Sequence, residues 1–316
     1  MCIFIDDLLL IYNLQRARVD NTDLQIVRLL ARDSRTSYKN IASVVGLTQS
    51  ATRKRINKMV SNGVIKKFVV ITNPAILGYE KLCLLMVKNI EKTTKAKDLL
   101  KRVSLLGDVI SYTMQLEGSY IFVLYVRNIG QDKIAVLSDL LKPAILEAVF
   151  AAFKPPTMRI YSSDFKIMKW LLSDARMPVE DIAKETSLST KTVRRRLEKM
   201  KENLVLHFSI LPNLSSMKLT GYIQFVALIH VKATSHQSIA ERIYRELEEY
   251  LLYIPNWYQR EVNFALFLCG NISTVNLIIR KLESYDGVKK VEFFIMSDVT
   301  IDQNLFRSEI DKRITS

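Results

Sequence analysis

Apolar residues recur at helical spacing from the twentieth position onward. Leu24, Val27 and Leu30 fall on one stripe behind Asn21-Thr22, residues able to cap a helix start. A second short helix is expected after Ser37, with Ile41 and Val44 turned inward. Gly46-Leu47-Thr48 then reads as a tight turn, and Thr48 can cap a third helix from Gln49 to Asn62. Inside that helix Thr52, Ile56 and Met59 share one face, while Gln49, Ser50, Arg53, Lys54 and Asn57 lie off it. The apolar run Val64–Thr72 has strand character.

The same pattern returns later in the chain. Sliding the sequence by 141 positions sets Asp23–Lys67 on Asp164–Phe208 without a gap, with 14 identities in 45 pairs. The identities include Asp23/Asp164, Asp33/Asp174, Arg35/Arg176, Ile41/Ile182, Leu47/Leu188, Arg53/Arg194, Arg55/Arg196 and Met59/Met200. Copy two turns at Ser187-Leu188-Ser189 and directs Val193, Leu197 and Met200 inward, with Thr190, Lys191, Arg194, Arg195 and Glu198 outward. Leu204 stands where copy one has Gly63, so Asn203 or a tighter turn is expected to end its third helix. The run Leu204–Leu211 follows, and each such run is expected to form the wing of its module. Short helix, three-residue turn and basic third helix together make a helix-turn-helix.

Between and after the modules the period changes. Lys81–Asn89 reads as a strand, Thr93–Leu105 as a helix, Asp108–Leu116 and Ser119–Arg127 as strands, Gln131–Leu141 as a helix and Ile145–Phe153 as a strand. The second half gives the same order: Tyr222–Val231, His236–Tyr250, Leu252–Arg260, Val262–Cys269, Thr274–Tyr285 and Val288–Ile295. That is βαββαβ, the ferredoxin-like plan with both helices on one face of an antiparallel sheet. Lys154-Pro155-Pro156 marks the boundary between halves. The expected class is α+β, with two winged helix-turn-helix domains alternating with two ferredoxin-like domains. The divisions are 1–20 (an N-terminal extension), 21–72, 73–156, 157–212, 213–302 and 303–316 (a C-terminal tail). The apolar stretch Ile3–Leu14 is interrupted by Asp6 and Asp7 and is too short to span a bilayer, so a docking helix or an early-start extension is expected.

Composition sharpens this. Of the 316 residues 49% are hydrophobic and 25% charged, an ordinary globular balance, but the net charge is +14. The sequence pI is near 9.6. Such an excess suits a polyanion, either nucleic acid or an anionic membrane surface. The charge is concentrated in the modules: Asp23–Phe68 carries ten Lys/Arg and two Asp, and Asp164–Ser209 ten basic and seven acidic residues. A basic face on one short helix is often merely solvated; two copies with one turn and one arginine spacing favour DNA. Small polar groups at the third helix's N-terminus suit base edges, and cations one turn later suit phosphates. The candidate DNA contacts are therefore Thr48, Gln49, Ser50, Arg53, Lys54, Arg55 and Lys58, with Ser189, Thr190, Lys191, Arg194, Arg195 and Arg196 in copy two. Cys2, Cys83 and Cys269 lack any paired spacing and read as reduced thiols. His207, His230 and His236 form no ligand pattern, and neither a metal, a cofactor nor a catalytic constellation is expected. No long amphipathic helix with an aromatic face argues for a membrane-surface role, which ranks last.

The pattern D-x-x-I-x-x-x-L-x-x-D-x-R, then Ile-Ala, a turn with Leu, and R-x-R-[IL] followed by Met resembles the DNA-binding domain of the leucine-responsive regulator/AsnC (Lrp/AsnC) family. Asn62-Gly63-Val64-Ile65 and Leu77-Gly78-Tyr79 strengthen the likeness, and the βαββαβ units resemble that family's regulatory RAM domain. The resemblance implies transcriptional regulation in the cytoplasm at the nucleoid, dimerisation through the RAM sheets, and an amino-acid effector near the loop between the second and third RAM strands. One chain would then stand in for the family's dimer, an intramolecular pseudo-dimer, with further homo-oligomerisation of chains. The effector loop departs from the family pattern: Glu117-Gly118-Ser119-Tyr120-Ile121 has no aspartate for an ammonium group, and Glu261-Val262-Asn263-Phe264 lacks even the glycine. That argues against an amino acid and leaves Gly118 and Ser119 as candidate contacts of a small-molecule effector. Siroheme decarboxylases resemble the same plan. On that alternative Asn256-Trp257-Tyr258-Gln259-Arg260 would offer an aromatic and an arginine to a polycarboxylate substrate.

Overall fold

Local hydrogen bonding fixes the first three helices among the described residues. In the computed structural model, which describes residues 19–90, 96–115, 118–127, 131–213, 222–253, 261–295, 300–301 and 304–315, α1 (Asn21–Arg32) starts on Asp20 rather than on Asn21-Thr22. The Asp20 carboxylate accepts from the Asp23 N–H at 2.8 Å and Asp23 accepts from the Asp20 N–H at 3.3 Å, a reciprocal capping box. Ser37 caps α2 (Tyr38–Val45), and Gly46 closes it with φ at 69°, a left-handed conformation that suits glycine. Val44 is 67% exposed, against the expectation that it turns inward. Thr48 accepts from the Ala51 N–H at 3.1 Å and starts α3 (Gln49–Ser61).

The strand that leaves this module, β1 (Ile65–Thr72), has no hairpin partner within it, which corrects the expectation of one wing per module. Its partner is the equivalent strand of the second copy, β6 (Leu206–Pro212). The two run antiparallel as a single ribbon with Val70 opposite Phe208. A lone strand leaves one row of backbone groups unpaired, and the repeat supplies the complement.

The first RAM-like unit comprises β2 (Lys81–Lys88), α4 (Ala96–Val103), β3 (Asp108–Met114), β4 (Tyr120–Val126), α5 (Gln131–Leu140) and β5 (Ile145–Ala152). Its strands lie in the order β3-β4-β2-β5, all antiparallel. Period-two alternation divides the sheet: Cys83, Leu85 and Val87 pack beneath Leu99, Val103 and Leu137 of the helices, while Leu82 and Leu84 face away from them.

Copy two repeats the helices as α6 (Ser162–Ser173), α7 (Val179–Thr186) and α8 (Thr190–Glu202). Ser187 closes α7 with φ at 56°, and Asn203 ends α8 as expected, but the left-handed position after it falls to Leu204, φ 55°, where Gly63 has φ 70°. The second RAM-like unit is β7 (Ile223–Val231), α9 (His236–Glu246), β8 (Leu251–Tyr253), β9 (Val262–Cys269), α10 (Ile272–Glu283) and β10 (Val288–Ile295), in the order β10-β7-β9-β8. Phe225, Ala227 and Ile229 face α9 and α10, whereas Leu228, Val262 and Phe264 share one core with Leu82 and Leu84. The helix-free faces of the two sheets thus bury each other.

The expected tail is ordered structure. β11 (Thr300–Ile301) adds to the edge of the first sheet beside β3, and α11 (Asn304–Thr315) packs on α6, burying Ile310 completely. Ile3–Leu14, Cys2, Glu117 and Asn256–Arg260 lie outside the described residues. Cys83 and Cys269 are buried free thiols. Among the described residues no His/Cys/Asp/Glu group of three could hold a metal ion, and no helix is long and apolar enough to cross a membrane.

Candidate nucleic-acid interface

One face of α3 is available to a ligand. Gln49, Ser50, Arg53, Lys54, Asn57 and Lys58 are exposed, while Thr52, Ile56 and Met59 anchor the opposite face in the module's core. In α8 the equivalent set is Thr190, Lys191, Arg194, Arg195 and Glu198, over Val193, Leu197 and Met200. Thr48 and Ser189 are exposed at the helix starts with their hydroxyls engaged as caps. The unpaired backbone N–H groups of a first helical turn favour phosphate oxygens there. Lys199 is exposed too; it lies 141 positions after Lys58, and the repeat itself was the signal that pointed to it.

Arg55 and Arg196 do not join this surface. Arg55 Nη1 lies 2.7 Å from Asp20 Oδ2 and 2.9 Å from Asp23 Oδ1. Arg196 Nε donates to Asp164 Oδ1 at 2.5 Å, its Nη2 donates to Asp164 Oδ2, and its guanidinium lies over the Tyr161 ring. Asp164 is fully buried. Hydrogen bonds to Asp20 and Asp23 raise the Arg55 pKa, and the bond to Asp164 raises that of Arg196, so both are committed as cations to the first helix of their own module. Their assignment to DNA is corrected accordingly: each locks the third helix against the first.

The two faces differ electrostatically. Arg53 lies over the Tyr38 ring, 5.7 Å to its centroid, and Lys39, next to Tyr38 in sequence, is exposed. Arg194, its counterpart, lies 4.0 Å from Glu180, the residue equivalent to Lys39. Asp181, Glu185 and Glu198 are also exposed in copy two. At the candidate effector loop the Gln115 N–H donates to Ser119 O at 2.8 Å and the Gly118 N–H to Gln115 O at 3.0 Å. Gly118 is exposed with φ 88° and Ser119 is buried.

Comparison with known proteins agrees with this arrangement. The AsnC-type helix-turn-helix domain matches residues 19–60 and again 162–201. HTH-type transcriptional regulator LysM of Sulfurisphaera tokodaii is 30% identical over 112 residues, 35% of this chain and 76% of its own length. HTH-type transcriptional regulator FL11 of Pyrococcus horikoshii is 28% identical over 126 residues, 40% of this chain and 82% of its own. A solved structure described as the siroheme decarboxylase NirDL spans 93% of this chain and 99% of its own at 14% identity, with a TM-score of 0.46. With two matching domains and relatives covered over most of their length, this chain belongs to the Lrp/AsnC family of DNA-binding, helix-turn-helix transcriptional regulators.

Proposed function

We propose that the protein reads double-stranded DNA as a one-chain dimer, with α3 and α8 entering successive major grooves. The observation that carries this is the β1–β6 ribbon: it joins equivalent strands of the two modules antiparallel, as a two-fold axis within one chain requires. Gln49 and Ser50 in the first module, and Thr190 and Lys191 in the second, stand at the helix N-termini and face base edges. Arg53, Lys54, Lys58, Arg194 and Arg195 engage phosphates, with Thr48 and Ser189 beside them at the helix starts. Because the base-facing residues differ between copies, the site is an imperfect palindrome whose half-sites are about one helical turn apart.

The role is regulation by binding, not catalysis, and it places the protein with the nucleoid in the cytoplasm. Its partners are duplex DNA, a small-molecule effector touching Gly118 and Ser119, and further copies of the chain. Selection of bound duplexes from a random library at fixed salt, followed by measuring how many chains bind each duplex, tests this. Two unequal half-sites held by a single chain are expected. A perfectly symmetric site, or one requiring two chains for two half-sites, overturns the one-chain reading. Release of carbon dioxide from siroheme on incubation with the protein overturns the non-catalytic one.

A further inference from the structure

Two arginines outside the DNA-facing helices cross between the modules. Arg35 follows α1 in copy one. Its Nη1 donates to Ala175 O at 3.1 Å and its Nη2 to Met177 O at 2.9 Å, both on the α6–α7 corner of copy two. The same guanidinium lies 5.1 Å from the Phe208 ring centroid on β6. Arg176, its repeat equivalent, reaches the other way. It donates to the Tyr38 hydroxyl at 3.3 Å and lies 4.9 Å from the Tyr38 centroid and 4.8 Å from that of Phe68 on β1. Arg35 therefore holds the corner and ribbon strand of copy two, and Arg176 holds the first residue of α2 and the ribbon strand of copy one, so the two reach in opposite directions across the seam. Local geometry aims both: the Arg35 N–H donates to Asp33 Oδ1 at 2.9 Å and the Arg176 N–H to Asp174 Oδ1 at 2.8 Å.

Tyr38 extends the link to the DNA-facing surface, since Arg53 lies over the same ring. A two-stranded ribbon twists easily, and the packing of α1 on β6 and of α6 on β1 adds apolar contact, which is non-directional. The Lys201–Asp33 ion pair also crosses this seam, but at 45% and 32% exposure it contributes little. A forked guanidinium on two backbone carbonyls constrains both distance and angle.

We propose that Arg35 and Arg176 are positioning residues that fix the separation and rotation of α3 and α8, so that the chain accepts one spacing of DNA half-sites. This rests on the DNA reading proposed above. One inserted base pair shifts a half-site by about 3.4 Å and turns it by about 35°. The test titrates duplexes carrying the selected half-sites, with the spacer varied by one or two base pairs, against wild type and R35Q/R176Q at one salt concentration. Wild type loses about tenfold or more in affinity per base pair of misspacing, the cost of leaving base edges of one half-site unread. R35Q/R176Q loses less than about threefold, while its affinity for a single half-site stays within about twofold of wild type.

A double variant with the wild-type spacing profile overturns the proposal, as does a flat profile in wild type. Wild type that binds none of these duplexes overturns the DNA reading itself. Should the double variant fail to fold, R35K and Y38F carry the test: each keeps most of its side-chain volume and removes only the fork or the hydroxyl. Flattened profiles support the proposal, and unchanged profiles in both overturn it.

Discussion

Arg53 and Arg55 stand two residues apart in α3, as Arg194 and Arg196 do in α8, and two residues turn a helix by about 200°. The first of each pair is exposed; the second flanks the apolar stripe and meets an aspartate of the first helix. Asp164 has no solvent exposure, so removing Arg196 strands a buried carboxylate. Arg196→Leu is expected to lower stability in urea unfolding by about 3 kcal/mol, with Asp164→Asn in the same background recovering part of it. Arg55→Leu is expected to cost less, about 1–2 kcal/mol, since Arg55 is 35% exposed against 13% for Arg196 and its partners Asp20 and Asp23 keep 51% and 12% exposure against none for Asp164. Equal losses would show that burial does not set the difference. The inward role was partly legible, because the Asp23/Asp164 identity travels with Arg55/Arg196 through the repeat. Which arginine of each pair turns inward depended on its angle to Ile56 or Leu197, which the basic motif conceals. Backbone strain at Ser187, exposed at φ 56°, gives a second test at this scale. Ser187→Gly is expected to raise stability by up to about 1 kcal/mol, the relief of the left-handed conformation less the entropy glycine gains on unfolding.

Among the elements, α3 and α8 share a scaffold and differ in surroundings. Arg194 is already opposed by Glu180, whereas Arg53 lies over the Tyr38 ring and the position equivalent to Glu180 is Lys39. R53E/K54E is therefore expected to weaken binding to duplex DNA more than R194E/R195E. The slope of log affinity against log salt should fall by about one for each phosphate that is no longer neutralised. Equal weakening, measured by titration across a salt series, would refute the ranking. Element existence was legible wherever periodicity runs long: both βαββαβ orders, and the turn before each third helix, follow from spacing alone. The shared ribbon was not, because β1 and β6 are far apart in sequence and either could have closed a hairpin. The last helix escaped for another reason: its Leu305, Phe306, Ile310 and Ile314 are interleaved with charges, and what they cover, α6 and Tyr125, is set by the tertiary fold.

At the scale of the molecule the two halves interlock. α1 of the first module packs on β6 and β8, with Leu252 and Leu268 of the second half in its core and Arg32 2.6 Å from Glu248. α6 of the second module packs on β1 and α11, and α11 joins the first half through Arg127 and Glu309. His207 of β6 lies in the seam, its Nε2 3.1 Å from Ala31 O, where Ser209 also donates at 2.8 Å. Burial pushes the His207 pKa below the ordinary value; the Ala31 carbonyl and the Asp33 charge oppose that shift and Lys201 adds to it. Burial lowers His236 likewise, against the Val262 backbone and with Lys154. For a histidine depressed on folding, the unfolded chain binds more protons at acid pH. The stability these two groups allow is therefore complete above the unfolded value of about 6.5 and is lost as pH falls through the folded values. Thermal midpoints are expected to decline from about pH 7.5 toward about pH 5, by about 4–8 °C per kcal/mol in a small domain and by less in a chain of this length. His207→Gln keeps a donor for Ala31 without a titrating ring, so it should shrink that decline, and His207→Gln/His236→Gln should remove it above the carboxylate range. A decline that persists in the double variant would assign the acid sensitivity to other groups and leave the seam indifferent to protonation.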